Sequence, residues 1–566
     1  MRKRLTCRTI ITIFLLTMQA CNKDYLEKDP KGGPSDASFF KSQDELLLAV
    51  NGLYKTMNKP MDPDYDPGQL EGPNISVMLD AASDIGYERN ASDLQKIGTG
   101  NQDANNTYTQ GLWTDFYKVI GRCNFILDNA EKVKPLTDPA LFKRSMGETR
   151  FIRAYMYEQL ISLFGGVPLV THPLNLENSQ VPRSDKPVVL DFIFEELDSA
   201  AAWLPKTYAS SEAGRATKGA ALTIKARVAL YNEKWKVAAE AAKAVMDLNV
   251  YKLEDSYPRL FSYDNRNSAE VILALQYQQP VINWGGPYPI LCRNAGGASN
   301  KIPSQSLVDA FECTDGLTID KSPLFDPKKP FENRDPRLAF TIALPGSVFF
   351  NYQFETHKDS LMCWNYNTTP ATRIVNQDAV NAYASFSGYC WRKYVDLKDK
   401  DNTRLSTMSI ILARYAEVLL TYTEAKLEAN ELDASVFKAI NDVRQRPGVN
   451  MPVIPAGATK EQLRSAVRRE RMYELAYEGF RLFDIRRWKI AEKVMKGPLY
   501  GRVPRGLLAA APSIDANGIA DYSQVPNRAD MRVVEVRTFN PGRDYLWPIP
   551  YIETQTNPKI VQNPLY

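Results

Sequence analysis

Histidine is nearly missing from this chain, with only His172 and His357 among 566 residues. A histidine-dependent triad or a multi-histidine metal site would need both at one place, and His172 stands before a proline just past a helix end, so such chemistry finds no support. Cysteine is sparse as well, seven in all, and the wide spacing contains no CxxC zinc or redox motif. Cys123, Cys292, Cys313, Cys363 and Cys390 are an odd five that cannot all pair. They read as buried thiols, with room for one incidental disulfide in an oxidising compartment. Beyond the N-terminus no stretch reaches about 18 uninterrupted apolar residues, the length a bilayer-spanning helix requires. A Gly-rich phosphate loop at a strand-to-helix junction is absent too, because Gly165-Gly166 follows a helix instead.

Excess charge is also lacking. The formal net charge is +4, but Arg2, Lys3, Arg4 and Arg8 contribute all of it before residue 20, leaving 66 basic and 66 acidic residues in the rest. A chain with no net positive charge lacks the long-range field that gathers phosphates, which excludes a nucleic-acid binder. Glycosidases work with paired carboxylates, but nothing marks two of these acids as opposed across a cleft. The chain is therefore not expected to be an enzyme, nor to carry a cofactor or metal. The one calcium-like string, "DPDYDPG", places Asp62, Asp64 and Asp66 at alternating positions, yet Pro67 and Pro73 occupy the positions of the required glycine and glutamate. It reads as a solvated turn.

What is present begins with "MRKRLTCRTIITIFLLTMQAC", a basic start, an apolar run from Ile10 to Leu16, and small or unbranched residues before a cysteine. That is an export signal, too short to remain as a membrane helix. Residues 1–20 are taken as the signal, and Cys21 as the first mature residue and lipid attachment point, similar to a bacterial lipobox; plain secretion with a free cysteine is the alternative. A polar Gly/Pro tether covers 21–40. A helix then starts behind Ser42, with Glu45 three residues on and Leu46, Leu47, Val50 and Leu53 as its apolar stripe.

The segment 41–250 reads as an N-terminal helical scaffold, interrupted by long loops over 58–110. Ile152, Tyr155, Met156, Leu160 and Leu163 follow three-and-four spacing until Gly165-Gly166 and Pro168 stop the helix. "TKGAALTIKARVALYNE" and "KWKVAAEAAKAVMDLN" form a helix pair, with Ala220, Ala226, Ala229, Ala238, Ala242 and Ala244 permitting close approach. One such pair cannot bury its apolar face alone and must stack on others, as in a tetratricopeptide array. "SIILARYAEVLLTYTEAKLEAN", read as helix throughout, pairs with "ASVFKAINDVRQRPGV", and "KEQLRSAVRRERMYELAYEGFRLFDIRRW" follows. Between the arrays, 251–405 is too long for a loop and reads as an irregular inserted lobe with short β-like runs such as "EVILALQY". Residues 406–566 hold the C-terminal helix pairs and a Pro-rich tail.

Together "CNKDYLEKDP", "FIRAYMYEQLISLFGGVPLV", "ARYAEVLLTYTEAKLEAN", "RERMYELAYEGFRLFDIRRW" and "WPIPYIETQTNPKIVQNPLY" resemble the SusD/RagB family of outer-membrane nutrient-binding lipoproteins, in the family's order and across nearly the whole chain. The resemblance implies a mostly α fold, four tetratricopeptide-like helix pairs carrying a less regular lobe. It further implies a lipid anchor in the outer membrane, surface exposure, and a SusC-type TonB-dependent transporter as partner. Family members pass oligosaccharides, or in some branches peptides, to that transporter without chemistry.

A sugar's C–H faces stack on flat rings while its hydroxyls pair with planar polar groups, so rings on loops are the candidates. "INWGGPYPILCRN" offers Trp284, Tyr288, Arg293 and Asn294; "CWNYN" offers Trp364 and Tyr366; "SDIGYERN" offers Asp84 and Tyr87. The alternative is that these rings seal the seam between lobes. Trp113 and Trp391 read as core. In "RRERMYELAYEGFRLFDIRRW", Met472, Leu475, Ala476, Gly479 and Phe483 are expected on one helix face and Glu470, Glu474 and Glu478 on the other. Three like charges in a row require cations, from Arg468, Arg471 and Arg481 or from adjoining helices. This makes the stretch an internal brace.

Overall fold

The computed structural model describes residues 39–57, 76–278 and 285–566. The signal, Cys21, the tether up to residue 38, the calcium-like string and Trp284 lie outside them. The scaffold is a chain of helices, each packed on the next: Thr107–Asn129 on Pro139–Phe164, then Lys186–Trp203, Lys218–Tyr231 and Trp235–Met246. The last of these packs on Tyr415–Glu428, which in turn carries Ala434–Arg444 and Lys460–Leu475. The array thus closes across some 170 intervening residues and forms the expected tetratricopeptide-like stack.

Local signals explain the ends. Asn106 and Thr217 cap their helices by accepting the N–H groups of Thr109 and Ala220, Asp138 accepts two N–H groups ahead of Pro139, and Thr459 forms a reciprocal capping box with Gln462. Gly165, at φ +79°, ends the helix Pro139–Phe164. Five of the six predicted alanines, Ala220, Ala226, Ala229, Ala238 and Ala242, are buried between helices, with Ala244 half-buried at the margin. The five cysteines of the body are all buried free thiols.

Three local expectations change. The loop region contains a capped helix, Asp93–Thr99, whose Leu94 and Ile97 enter the core. "SIILAR" is not helix: Ile410–Arg414 is a buried strand paired antiparallel with Val271–Leu275, and the helix begins only at Tyr415. The "RRERMYELAYEGFRLF" helix breaks at Ala476, with Tyr477 and Gly479 both at positive φ, before a second helix Arg481–Arg487. Side chains satisfy the carbonyls that the break leaves without helical partners. Lys393 Nζ donates to the carbonyls of Glu474 and Ala476, Arg414 Nη2 and Tyr257 Oη also donate to that of Glu474, and these side chains take the place of further helical N–H donors.

The lobe is joined to the scaffold by strand pairs that cross its boundaries, since Gly86–Glu88 pairs with Lys301–Pro303 and Val271–Leu275 with Ile410–Arg414. Its largest sheet has four short antiparallel strands ending in the hairpin Met362–Asn365 and Thr372–Val375. A smaller apolar cluster including Leu291, Ile302, Phe349, Phe354 and Cys390 lies in the lobe and takes in Tyr87 and Leu499 from outside it, while Leu307, Phe311, Leu338 and Trp391 belong to the main core shared with the helices.

Candidate ligand-binding surface

The arginine-rich stretch is buried. Glu470 and Glu474 are fully buried, and their partners come from distant segments: Arg337 (2.5 Å) and Arg444 (2.8 Å) for Glu470, Arg414 (2.6 Å), Arg446 (2.8 Å) and Arg337 (3.0 Å) for Glu474. Glu478 binds Arg414 and Lys393, both at 2.7 Å. The brace is present, but the three local arginines serve elsewhere. Arg468 donates to Asn517, Arg471 to Asp484 and Arg481 to Asp84. Burial alone would raise the Glu474 pKa, but Arg446, Arg414 and Arg337 outweigh it and hold the carboxyl well below the usual range.

The predicted ligand residues divide by exposure. Tyr87 is buried in the strand Gly86–Glu88, its ring in the lobe core, so it offers no open face. Asp84 is taken by the Arg481 fork at 2.7 and 2.8 Å, on the wall of a cleft of about 470 Å³ that also borders Ser306, Lys493 and Tyr522. Tyr288 is half-buried with the Arg404 guanidinium 3.4 Å from its ring centroid. Asn294 is occupied internally: its amide donates to Asn376 and Asp378, and its carbonyl accepts the N–H of Gln377. The Arg293 side chain donates to the Gly297 carbonyl at 2.7 Å. The two histidines bond separately, His172 to the Asp128 carboxylate and His357 by accepting the backbone N–H of Asp359 at its Nδ1.

Trp364 and Tyr366 remain open, at 39% and 42% exposure. Period-two alternation explains the tryptophan's position, because Met362 and Trp364 face out while Cys363 faces the core. In the hairpin register Trp364 lies opposite Arg373 and Met362 opposite Val375, so one face carries a ring, a guanidinium 5.2 Å from that ring, and two exposed apolar side chains. Exposed apolar side chains grouped on one face beside a charge make that face a candidate for recognition. Arg373, Met362 and Val375 were missed in the sequence; the alternating strings "MCWN" and "TRIV" around the turn-forming "YNTTPA" were the signal that could have found them.

Comparison with known proteins decides the family. The SusD family profile matches residues 262–566, and a second profile, described as starch-binding associating with outer membrane, matches 24–230. The chain belongs to the SusD family. Its SusD-family relatives include the SusD-like protein P25 of Formosa agariphila, 25% identical over 86% of this chain and 90% of that protein. Among solved structures, a SusD-like carbohydrate binding protein from Bacteroides fragilis superposes with a TM-score of 0.79 at 30% identity, covering 92% of this chain and 99% of that one. A second SusD-like protein from the same species gives a TM-score of 0.74 at 27% identity, covering 94% and 99%. The SusD scaffold accordingly spans the described chain from the first helix to the tail.

Proposed function

We propose that this protein is a cell-surface lipoprotein, anchored through Cys21 in the outer membrane, that binds oligosaccharides or polysaccharides and delivers them without chemistry to a SusC-type TonB-dependent transporter. The exposed Trp364 ring on a paired hairpin carries this reading: a flat apolar face held on a strand is ordered before a sugar arrives, so little conformational entropy opposes stacking. Family membership supports it, as does the Bacteroides fragilis relative, which is described as carbohydrate binding. Tyr366 stands beside Trp364 in sequence as a second ring, and Trp284, outside the described residues, is kept as a third candidate.

The test is affinity electrophoresis and calorimetry against a panel of polysaccharides. A retarding or heat-producing glycan is expected, and Trp364→Ala should weaken it by at least about tenfold, roughly 1.4 kcal/mol, with an unchanged unfolding midpoint. Binding of peptides with no response to any polysaccharide would overturn the glycan reading in favour of a peptide-binding member of the same scaffold.

A further inference from the structure

Two arginines, Arg89 and Arg532, pack on two aromatic rings with Arg293 and Lys358 close enough to act on them, and among the described residues none of the four makes a side-chain ion pair with a carboxylate. Arg89, Arg293, Lys358 and Arg532 are all half-buried. The Arg89 guanidinium lies 5.1 Å from the ring centroid of Tyr383 and 5.5 Å from that of Phe386, and Arg532 stacks on the Phe386 ring at 3.7 Å. Arg293 acts electrostatically on Arg89, and Arg532 on Lys358. The hydrogen bonds they make go to neutral carbonyls: Arg89 to Ala298 (3.0 Å), Arg293 to Gly297 (2.7 Å) and Lys358 to Ala379 (2.7 Å). Among the described residues Arg89 Nε is buried with no hydrogen-bond partner.

The surrounding acids have closer partners, although Glu88 still acts electrostatically on Arg89 and Asp378 on Lys358. Glu88 pairs with Lys301, Glu535 with Arg537, Glu355 with Arg502 and Asp359 with Arg505. Asp378 is buried and accepts the backbone N–H groups of Arg293 and Asn294. Burial above all lowers the pKa of both Arg89 and Lys358; Arg293 adds to this at Arg89 against the opposing effect of Tyr87, Glu88 and Tyr383, and Arg532 adds to it at Lys358 against Asp378. Crowding like charges in a half-buried place is unfavourable unless something compensates them. The mature chain is neutral overall, so this local surplus was placed against the average.

We propose that this cluster holds the anionic groups of a glycan, uronate carboxylates or sulfate esters, which makes the ligand a charged polysaccharide. The inference rests on the glycan-binding function proposed above and specifies it. Guanidinium forks match planar and tetrahedral oxyanions, and Tyr383, 63% exposed, sets an open ring beside them. The chain itself links the two surfaces, running from the Trp364 hairpin at Val375 through the short helix Gln377–Val380 to Tyr383.

Full mature protein should be titrated with polygalacturonate, with a carrageenan, and with their carboxyl-reduced and desulfated counterparts, at low and high salt. Binding of one charged polymer is expected, weakened by salt as exposed charges are screened and by at least roughly tenfold in Arg89→Gln and Arg532→Gln, with Arg532→Lys retaining most of it. The two polymers distinguish carboxylate from sulfate. Thermal unfolding of each variant separates lost binding from lost folding. Binding of neutral glycans only, or charged-glycan binding that both glutamine variants keep, overturns the charged-ligand inference and leaves the Trp364-dependent function standing. A response to polyglutamate with none to any polysaccharide overturns both.

Discussion

At Glu474 three guanidiniums meet one fully buried carboxylate, which is where the scaffold's charge balance is most exacting. A buried ion network adds little net stability compared with an apolar core, but removing one member leaves the others buried and uncompensated. Glu474→Gln should therefore lower stability by about 3–5 kcal/mol at neutral pH, read as the shift of a denaturant midpoint; a midpoint equal to that of the parent protein would refute the bracing role. The pH dependence follows from the sign of the shift. Because the folded carboxyl titrates below its unfolded counterpart, its stabilisation is present above the ordinary carboxylate range and is lost as pH falls through the folded value. The glutamine variant should lose stability less steeply on acidification. Asp80 works in the opposite sense: burial pushes it up to about 7, so its contribution declines as pH rises from about 4 towards 7.

At the level of elements, the helix Trp235–Met246 is packed between Lys218–Tyr231 and Tyr415–Glu428, and small residues set its distance from them. Ala242 is fully buried there. Ala242→Leu should cost about 1–3 kcal/mol through overpacking, whereas Lys243→Ala on the exposed side of the same helix should stay within about 0.5 kcal/mol; equal urea midpoints for both would rule out the close-packed seam. Such helices were readable because their apolar period of 3.6 recurs over many residues. Ile410–Arg414 was not, since a four-residue apolar run before a helix has no period of its own, and only its partner Val271–Leu275 makes it a strand. The break after Leu475 was equally hidden, because the groups that take up its last carbonyls, Lys393, Arg414 and Tyr257, lie 60 to more than 200 residues away.

Across the whole molecule, the helical stack supplies the frame, and segments from all three parts of the chain meet around the proposed cation cluster: Arg89 before the lobe, Arg293 and Lys358 within it and Arg532 after it. The proposed N-terminal anchor belongs to this scale too. Cys21→Ala, or a block in lipoprotein maturation, should release the protein from membranes into the soluble fraction; a variant that still pellets with outer membranes would refute lipid attachment at Cys21.

The sequence by itself determined the helical scaffold, the interruption of its array, the internal role of the glutamate row and the family, since each depends on periodic or local patterns repeated along the chain. Which rings reach solvent was decided only by tertiary structure. Tyr87 and Trp364 both sit in short polar contexts, yet the partner strand Lys301–Pro303 and the lobe core cover the first, while the outer face of a hairpin leaves the second open. The pairing of charges was settled in the same way. Whether an arginine meets a glutamate, as Arg446 does, or a carbonyl and two rings, as Arg89 does, depends on contacts between segments far apart in the chain, and no local pattern encodes those.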